Sequence, residues 1–498
     1  MVSEQLALSR SVGEEEGLEG AIIAVAPMLD VTNTHFRMFC RIISRRTELW
    51  TEMVVDDTII HCYDDEARRK TLEQVHLKRN PAESPLVLQF GGNTPEKLEK
   101  ALEIAQKYGF SSFNLNVGCP SCKVATKGNF GAALFKSPLR VARIVNACNR
   151  KLRDLGLSDT RISVKTRIGV DEFDTYQHLY NFVSLVSGVN VNNQNMKDFA
   201  SIFQNAEETE LPDYSQGNFI GADTFIIHAR KAWLKGINPN KNRSIPKLKY
   251  QWAYLLTQDF PSLRFILNGG VTTIEDSVSI LNGKWFVSWY SRHKEGLADS
   301  NTGSQIEKKI RLGAEDSEDA VTQSPEGGKS TQDDVPPESE LMQAYERLYR
   351  AISAGTWENK IRGVMIGREV MNNPFILAKV DRMVYGEDLP AASHPTNGLL
   401  LTRRDVLERY CEYLSTIQPR NIQNDGQFTT GELHMYLKPV FGILHGLPGT
   451  KHWRRILSDL IFKHKQDLAC SGGSNPRDIL LNSISLFEKD YSEILDST

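Results

Sequence analysis

The sequence contains no uninterrupted apolar run near the ~18–20 residues that a membrane-spanning helix requires, so no membrane partner is expected. Cysteine is scarce: seven are scattered over 498 residues. An odd count in a long chain argues against a disulfide framework and fits a reducing compartment. A positive excess is missing too, since 59 Lys and Arg stand against 62 Asp and Glu, for a formal net charge of −3. Taken alone, that balance discourages a nucleic-acid partner. The start of the chain has neither the apolar stretch of a secretory signal nor the Arg-rich character of a transit peptide, and carries Glu14-Glu15-Glu16 instead. A cytoplasmic setting is expected, or an organellar one if a transit peptide has been removed.

The charge is unevenly spread. Residues 284–341 carry about −5 and the first 19 residues about −4, which leaves about +6 on the rest. The objection to nucleic acid is weaker than the total suggests. Hydrophobic residues make up 40% and charged residues 24%, an ordinary globular composition with ample chain for a core and a cofactor.

Short apolar runs alternate with amphipathic stretches. Strands are predicted at 22–29, 49–54, 86–91, 112–117, 162–167, 224–228, 265–268 and 363–366. Helices are predicted between them at 95–108, 139–152 and 248–256. Eight strands alternating with helices point to an α/β protein whose parallel sheet closes into a (β/α)8 barrel. Two segments interrupt the rhythm. Residues 188–218 are Asn-rich and polar, and residues 292–340 are rich in Ser, Asp, Glu, Gly and Pro with almost no aromatics. Both are expected to be insertions, the second largely disordered because it cannot bury enough apolar surface. It is expected to be a tolerated surface loop rather than an acidic docking segment. After about residue 388 the strand pattern stops, and helices are predicted at 403–416, 430–445, 451–465 and 476–491. The expected organisation is an N-terminal extension (1–19), a catalytic barrel (20–387) and a helical domain (388–498).

A barrel of this kind builds its active site at the C-terminal strand ends. Those ends carry Pro27-Met28-Leu29, Gln89 with Gly91-Gly92, Asn116 through Cys119, Lys165 and Arg167, His228-Ala229-Arg230, Asn268-Gly269-Gly270, and Gly367-Arg368. The last two sets follow the seventh and eighth strands, where barrels commonly hold a phosphate. Glycines let backbone N–H groups approach an anion, and arginine clamps it. Lys165 interrupts an apolar strand, which suits either a salt bridge or a cation near an electron-rich ring. Cys119 sits in a loop between Gly118 and Pro120. With Cys122 it forms a C-x-x-C, but no second such pair or paired histidine is present downstream, so no metal site is expected. A thiol acting alone as an acid is favoured, since a free thiol ordinarily keeps its proton until pH ~8.5.

In order, VAPMLDVTNTHFR, QFGG, NLNVGCPS, VKTRIG, HARKAWLKGINPNKNRSIPKLKY, NGG and GVMIGR resemble the tRNA-dihydrouridine synthases, specifically their bacterial-type A branch. The resemblance covers about 21–290 and 361–465 and neither the insertions nor the N-terminus. It implies FMN in the barrel mouth, NADPH as hydride donor, and reduction of the C5–C6 bond of D-loop uridines in tRNA, at positions 20 and 20a by branch. Cys119 would protonate C5. FMN would be held by Pro27, Met28, Leu29, Gln89, Lys165, His228, Asn268, Gly269, Gly270, Gly367 and Arg368. Asn116 and Arg243 match positions that contact the RNA. Asn240 stands where relatives are basic, with Lys241 beside it, and Cys122 stands where the family usually carries a polar residue. In the C-terminal helices, Lys451, Arg454 and Arg455 share one face at i, i+3 and i+4 and are expected to form a tRNA-phosphate patch. The alternatives are an FMN barrel reducing a free pyrimidine or enone, and a tRNA-binding or folding factor whose catalysis is dispensable. A monomer is expected.

Overall fold

The computed structural model describes residues 18, 20–121, 124, 128–203, 210–298, 338–387, 401–419, 427–467 and 475–498. Cys122, most of the N-terminal extension and residues 299–337 lie outside the described residues. Eight strands are present: β1 (Ile22–Val25), β2 (Leu49–Val55), β3 (Leu86–Gly91), β4 (Phe113–Val117), β5 (Ser163–Arg167), β6 (Thr224–His228), β7 (Arg264–Asn268) and β8 (Gly363–Ile366). Every ladder is parallel, and the sheet runs β1-β8-β7-β6-β5-β4-β3-β2. The remaining edge closes at Glu48. The Val25 N–H donates to the Glu48 carbonyl at 2.9 Å, and the Glu48 N–H donates to the Ile23 carbonyl at 2.8 Å. The sheet is therefore a closed (β/α)8 barrel with its helices outside.

The two-residue side-chain period of a strand explains how this barrel presents a site. Ala24, Trp50, Val87, Ile226, Ile266 and Met365 form an apolar cluster of their own, separate from the main core. Two residues beyond Val87, Ile226, Ile266 and Met365 come Gln89, His228, Asn268 and Gly367, while Ala26 beyond Ala24 still belongs to the apolar cluster. The pleat turns an apolar plug into a polar mouth one layer up. The main core lies between sheet and helices. In the helix Pro95–Lys107, Leu98, Ala101, Leu102, Ile104 and Ala105 are buried, with Pro95 pre-set in the first turn.

Several boundaries differ from expectation. β1 stops at Val25 because Pro27 has no N–H to donate to a ladder. The helix expected at 248–256 starts at Tyr250, since the Lys249 N–H bonds to the Ala229 carbonyl instead. The single helix expected over 430–445 is Thr430–Leu437 followed by a 3₁₀ turn, Lys438–Gly442, because Pro439 interrupts the i→i−4 pattern. The Asn-rich insertion has an apolar anchor: Val191, Met196, Ala200 and Tyr214 pack on Leu139, Ala142 and Leu185. The flanks of the second insertion are helical, in Lys284–Ala298 and Glu338–Ser353.

The C-terminal helices Arg403–Ser415, Thr430–Leu437, Thr450–Asp467 and Pro476–Leu495 come after the barrel. Two of them dock on the first barrel helix, Thr34–Ile43. The Tyr413 hydroxyl bonds His35 Nδ1 at 2.8 Å, and Phe39 meets Tyr410 edge-on at 4.9 Å between centroids. Among the described residues no helix is long and apolar enough to cross a membrane.

Candidate active site

An amide chain organises one side of the barrel mouth. Asn116, on β4, accepts the N–H groups of Gly118 (3.0 Å) and Cys119 (2.9 Å) on its side-chain oxygen. Its Nδ2 donates to Gln89 Oε1 at 2.8 Å, and Gln89 Nε2 donates to Asn114 Oδ1 at 2.8 Å. Asn114 in turn donates to Ser163 Oγ at 2.9 Å. These buried amides lock one another's orientation, and Asn116 thereby sets the turn that carries Cys119. Gln89 and Asn116 each keep one amide hydrogen free of this chain for a ligand.

Basic side chains crowd the strands and loops next to it. Lys165 Nζ donates to Asn268 Oδ1 at 3.0 Å, and Asn268 Nδ2 donates to the Met365 carbonyl at 2.8 Å. Burial, and then the charges of Arg167 and Arg243, lower the Lys165 ammonium to about 7. Burial, helped by Arg167, Lys165, Arg230 and Arg243, holds the His228 imidazole well below its ordinary range, so it is neutral at pH 7. Arg230 donates to the Ser244 and Pro246 carbonyls, yet its buried Nε has no hydrogen-bond partner among the described residues. Among the described residues, none of Lys165, Arg167, Arg230, Arg243 or Arg368 pairs with a carboxylate. A cluster of cations held together without counter-charge is a site built for an anion.

The glycines complete it. Gly269 (φ 110°) and Gly270 (φ 74°) adopt left-handed backbone, and the Tyr250 hydroxyl donates to the Gly269 carbonyl. A Cβ at Gly269 would fall 2.7 Å from His228 Cδ2, and one at Gly270 would fall 2.6 Å from Leu248 Cδ1. Only glycine makes this cradle. Arg368 comes directly after Gly367 at the end of β8 and donates to the Arg243 carbonyl at 3.1 Å, tying two rim loops together. Arg243 Nη1 donates to Asn240 Oδ1 at 3.0 Å. On the β1 side, the Met28 N–H is taken by Thr32 Oγ1 at 3.0 Å, and Leu29 projects with 74% of its surface exposed.

A family model described as "Dihydrouridine synthase (Dus)" matches residues 24–192 and 216–284. The tRNA-dihydrouridine(20/20a) synthase of Vibrio parahaemolyticus is 31% identical over 88% of this chain and 90% of its own length. The Salmonella typhimurium enzyme of the same name is 30% identical over 90% and 92%, and that of Shewanella oneidensis 28% identical over 92% and 93%. The chain belongs to the dihydrouridine synthase family. The gap in the family match falls within the Asn-rich insertion, and the match ends eight residues before the second insertion.

The closed barrel carries Cys119, Asn116, Gln89, Lys165, His228, Asn268, Gly269, Gly270, Gly367 and Arg368 at its C-terminal strand ends. Lys451 and Arg454 lie apart from that set, exposed on the helix Thr450–Asp467, where Arg454 Nε donates to the Phe441 carbonyl at 3.2 Å. The sequence alone suggests no role for Arg167. It is 2% exposed and binds three backbone carbonyls, of Gly118 (3.1 Å), Lys231 (3.1 Å) and Asn242 (2.9 Å). The only hint was an arginine on a buried strand, which must find acceptors somewhere.

Proposed function

We propose that this chain is an FMN-dependent, NADPH-driven tRNA-dihydrouridine synthase that reduces D-loop uridines, at positions 20 and 20a as its relatives' names state. The observation that carries the reading is the cationic cluster, uncompensated among the described residues, with its glycine cradle and the Arg230 Nε left without a partner there, beside the loop that carries Cys119. This donor set fits an anionic phosphate-bearing cofactor. Asn268, Gly269, Gly270, Gly367 and Arg368 would hold the phosphate end. Lys165, His228, Gln89 and the Pro27-Met28-Leu29 backbone would hold the ring. When bound, the flavin supplies a hydride, drawn from NADPH, to C6 of the base.

The remaining chemistry belongs to the chain. Hydride at C6 leaves enolate-like charge on the O4–C4–C5 unit, and the Cys119 thiol delivers its proton to C5 from the opposite face. Water then returns a proton to the thiolate. The base must leave its stack to reach this mouth, so recognition uses unstacked bases and phosphate contacts. Asn116 and Arg243 with Asn240 would meet the RNA beside the site, and Lys451 and Arg454 would meet phosphates further along, in a helical unit spanning 388–498.

The decisive experiment supplies the purified protein with NADPH and either unmodified tRNA or free uridine, and measures dihydrouridine by mass spectrometry. Product in tRNA alone is expected. Turnover of free uridine with none of tRNA would replace this reading by a small-molecule reductase.

A second expectation concerns pH. In the ligand-free protein Lys165 loses its proton near 7, and an anionic ligand favours the charged form. Binding therefore takes up a proton above that pH, and FMN affinity should fall by up to ~10-fold per unit as pH rises from 7, for one linked proton. Below 7 the lysine is already charged and its share of the dependence flattens. Calorimetry of FMN binding at pH 6 and pH 8, in buffers of different ionisation enthalpy, measures this uptake. Lys165→Met should remove the extra uptake at pH 8.

A further inference from the structure

The loop after β6 holds an exposed aromatic ring in a setting that a simple surface residue would not need. Trp233 is 40% exposed. Its backbone is clamped on both sides by one buried side chain: the Trp233 N–H donates to Asn242 Oδ1 at 2.8 Å, and Asn242 Nδ2 donates back to the Trp233 carbonyl at 2.9 Å. The Asn242 carbonyl is in turn held by Arg167 at 2.9 Å, the residue that also grips Gly118 beside Cys119. The ring thus rests on the same brace as the catalytic loop. The Lys231 ammonium lies 4.0 Å from the ring centroid and is fixed by Asp174 Oδ2 at 2.6 Å. One face is therefore occupied by a pinned cation, and the exposed surface belongs to the rest of the ring.

The surroundings indicate what the ring receives. Lys235, Lys241, Arg243 and Lys247 are exposed in the same loop, and among the described residues none pairs with a carboxylate. Arg243 is close enough to Lys165 to help depress its ammonium, so this loop borders the anion site itself. A rigid aromatic ring set among unpaired cations at the edge of an active site matches the way single-stranded nucleic acid is held: bases stack on the ring while the backbone tracks the positive charge.

We propose that Trp233 is a stacking platform for an unpaired base of the RNA substrate that neighbours the uridine delivered to Cys119. This rests on the tRNA reading above and adds a specific base-contacting residue to it. An indole face accepts any base, so the platform would anchor the loop without choosing its sequence, leaving selection to the groups around Cys119.

The test uses the full-length FMN-loaded protein. Trp233→Ala is expected to raise KM for unmodified tRNA roughly 5- to 150-fold, the range of one lost base–aromatic stack. Stoichiometric FMN, read from its absorbance, shows that the barrel is intact. Trp233→Phe should keep most of the affinity. The part of the indole emission that Trp233→Phe removes should be quenched by a D-arm stem-loop RNA. An alanine variant whose KM for tRNA stays within about twofold of wild type, or an indole signal indifferent to the RNA, overturns the platform. If wild-type protein forms no dihydrouridine in tRNA, the reaction reading fails instead. The same quenching titration then decides the platform alone: quenching supports it and its absence rejects it.

Discussion

Cys119→Ala is expected to lower dihydrouridine formation in tRNA by ~10²–10⁴-fold, the usual worth of a positioned general acid. The structure makes this a clean substitution. Asn116 holds the loop through the Cys119 backbone N–H at 2.9 Å, and the Ala132 N–H donates to the Cys119 carbonyl at 2.9 Å. Neither bond involves the thiol, so alanine removes the proton source and leaves the turn in place. FMN binding, flavin reduction by NADPH and tRNA affinity should persist. Rapid mixing of the reduced variant with tRNA, monitored by flavin reoxidation, isolates the step. A variant that turned over at the wild-type rate would remove Cys119 from the role of acid, and Cys122 would be the next thiol to replace. A chain whose only task was to bind or fold tRNA would also be exposed here, because binding would survive with no chemistry to lose.

Arg167→Met should have the second-largest effect, a fall in kcat of roughly 10²-fold, as expected when a reacting group is displaced by about an ångström. Burial, and then Arg243, bring the guanidinium down to about 10, which leaves it charged at neutral pH. Its bonds go to the loops carrying Cys119, Lys231 and Asn242. Methionine fills the volume but leaves three carbonyls without this donor, at about 1–3 kcal/mol for each that stays buried and unsatisfied. The melting temperature should fall as well. Arg167→Lys keeps the charge, but one ammonium cannot reproduce the planar fork, so it should behave like methionine. Partial recovery of kcat in the methionine variant by added guanidinium would mark a positioning role that general destabilisation would not produce. A lysine variant with wild-type kcat would show that charge, and not the fork, is what matters.

The two experiments probe features of different legibility. The rim position of Cys119 follows from its place after the fourth strand, and its role as proton donor to C5 from the family resemblance. The cradle came from Gly269 and Gly270 after the seventh strand and Gly367-Arg368 after the eighth. These are local properties: an apolar run makes a strand, and the residues at its C-terminal end lie at the rim. Local pattern is not enough at Pro439, inside the helix expected over 430–445, because apolar periodicity continues through a residue that cannot continue the hydrogen bonds. The polar insertion at 188–218 concealed Val191, Met196, Ala200 and Tyr214, whose common partners lie on other helices.

By itself, then, the sequence determined the alternation that makes a barrel, the order of the strand ends, and the identity of the thiol and glycines at its mouth. All of these depend on residues a few positions apart. Tertiary structure alone decided that Arg167 ignores its neighbours and binds carbonyls 49, 64 and 75 positions away. It also decided that five basic side chains share one mouth with no carboxylate partner among the described residues, that Trp233 stands on the same brace, and that His35 and Phe39 of the first helix receive Tyr413 and Tyr410 from the far end of the chain. The reason is physical. A pleat or a helical turn is set by short-range geometry, whereas the partner of a buried charge is whatever acceptor the closed barrel brings within reach, and closure involves the whole chain.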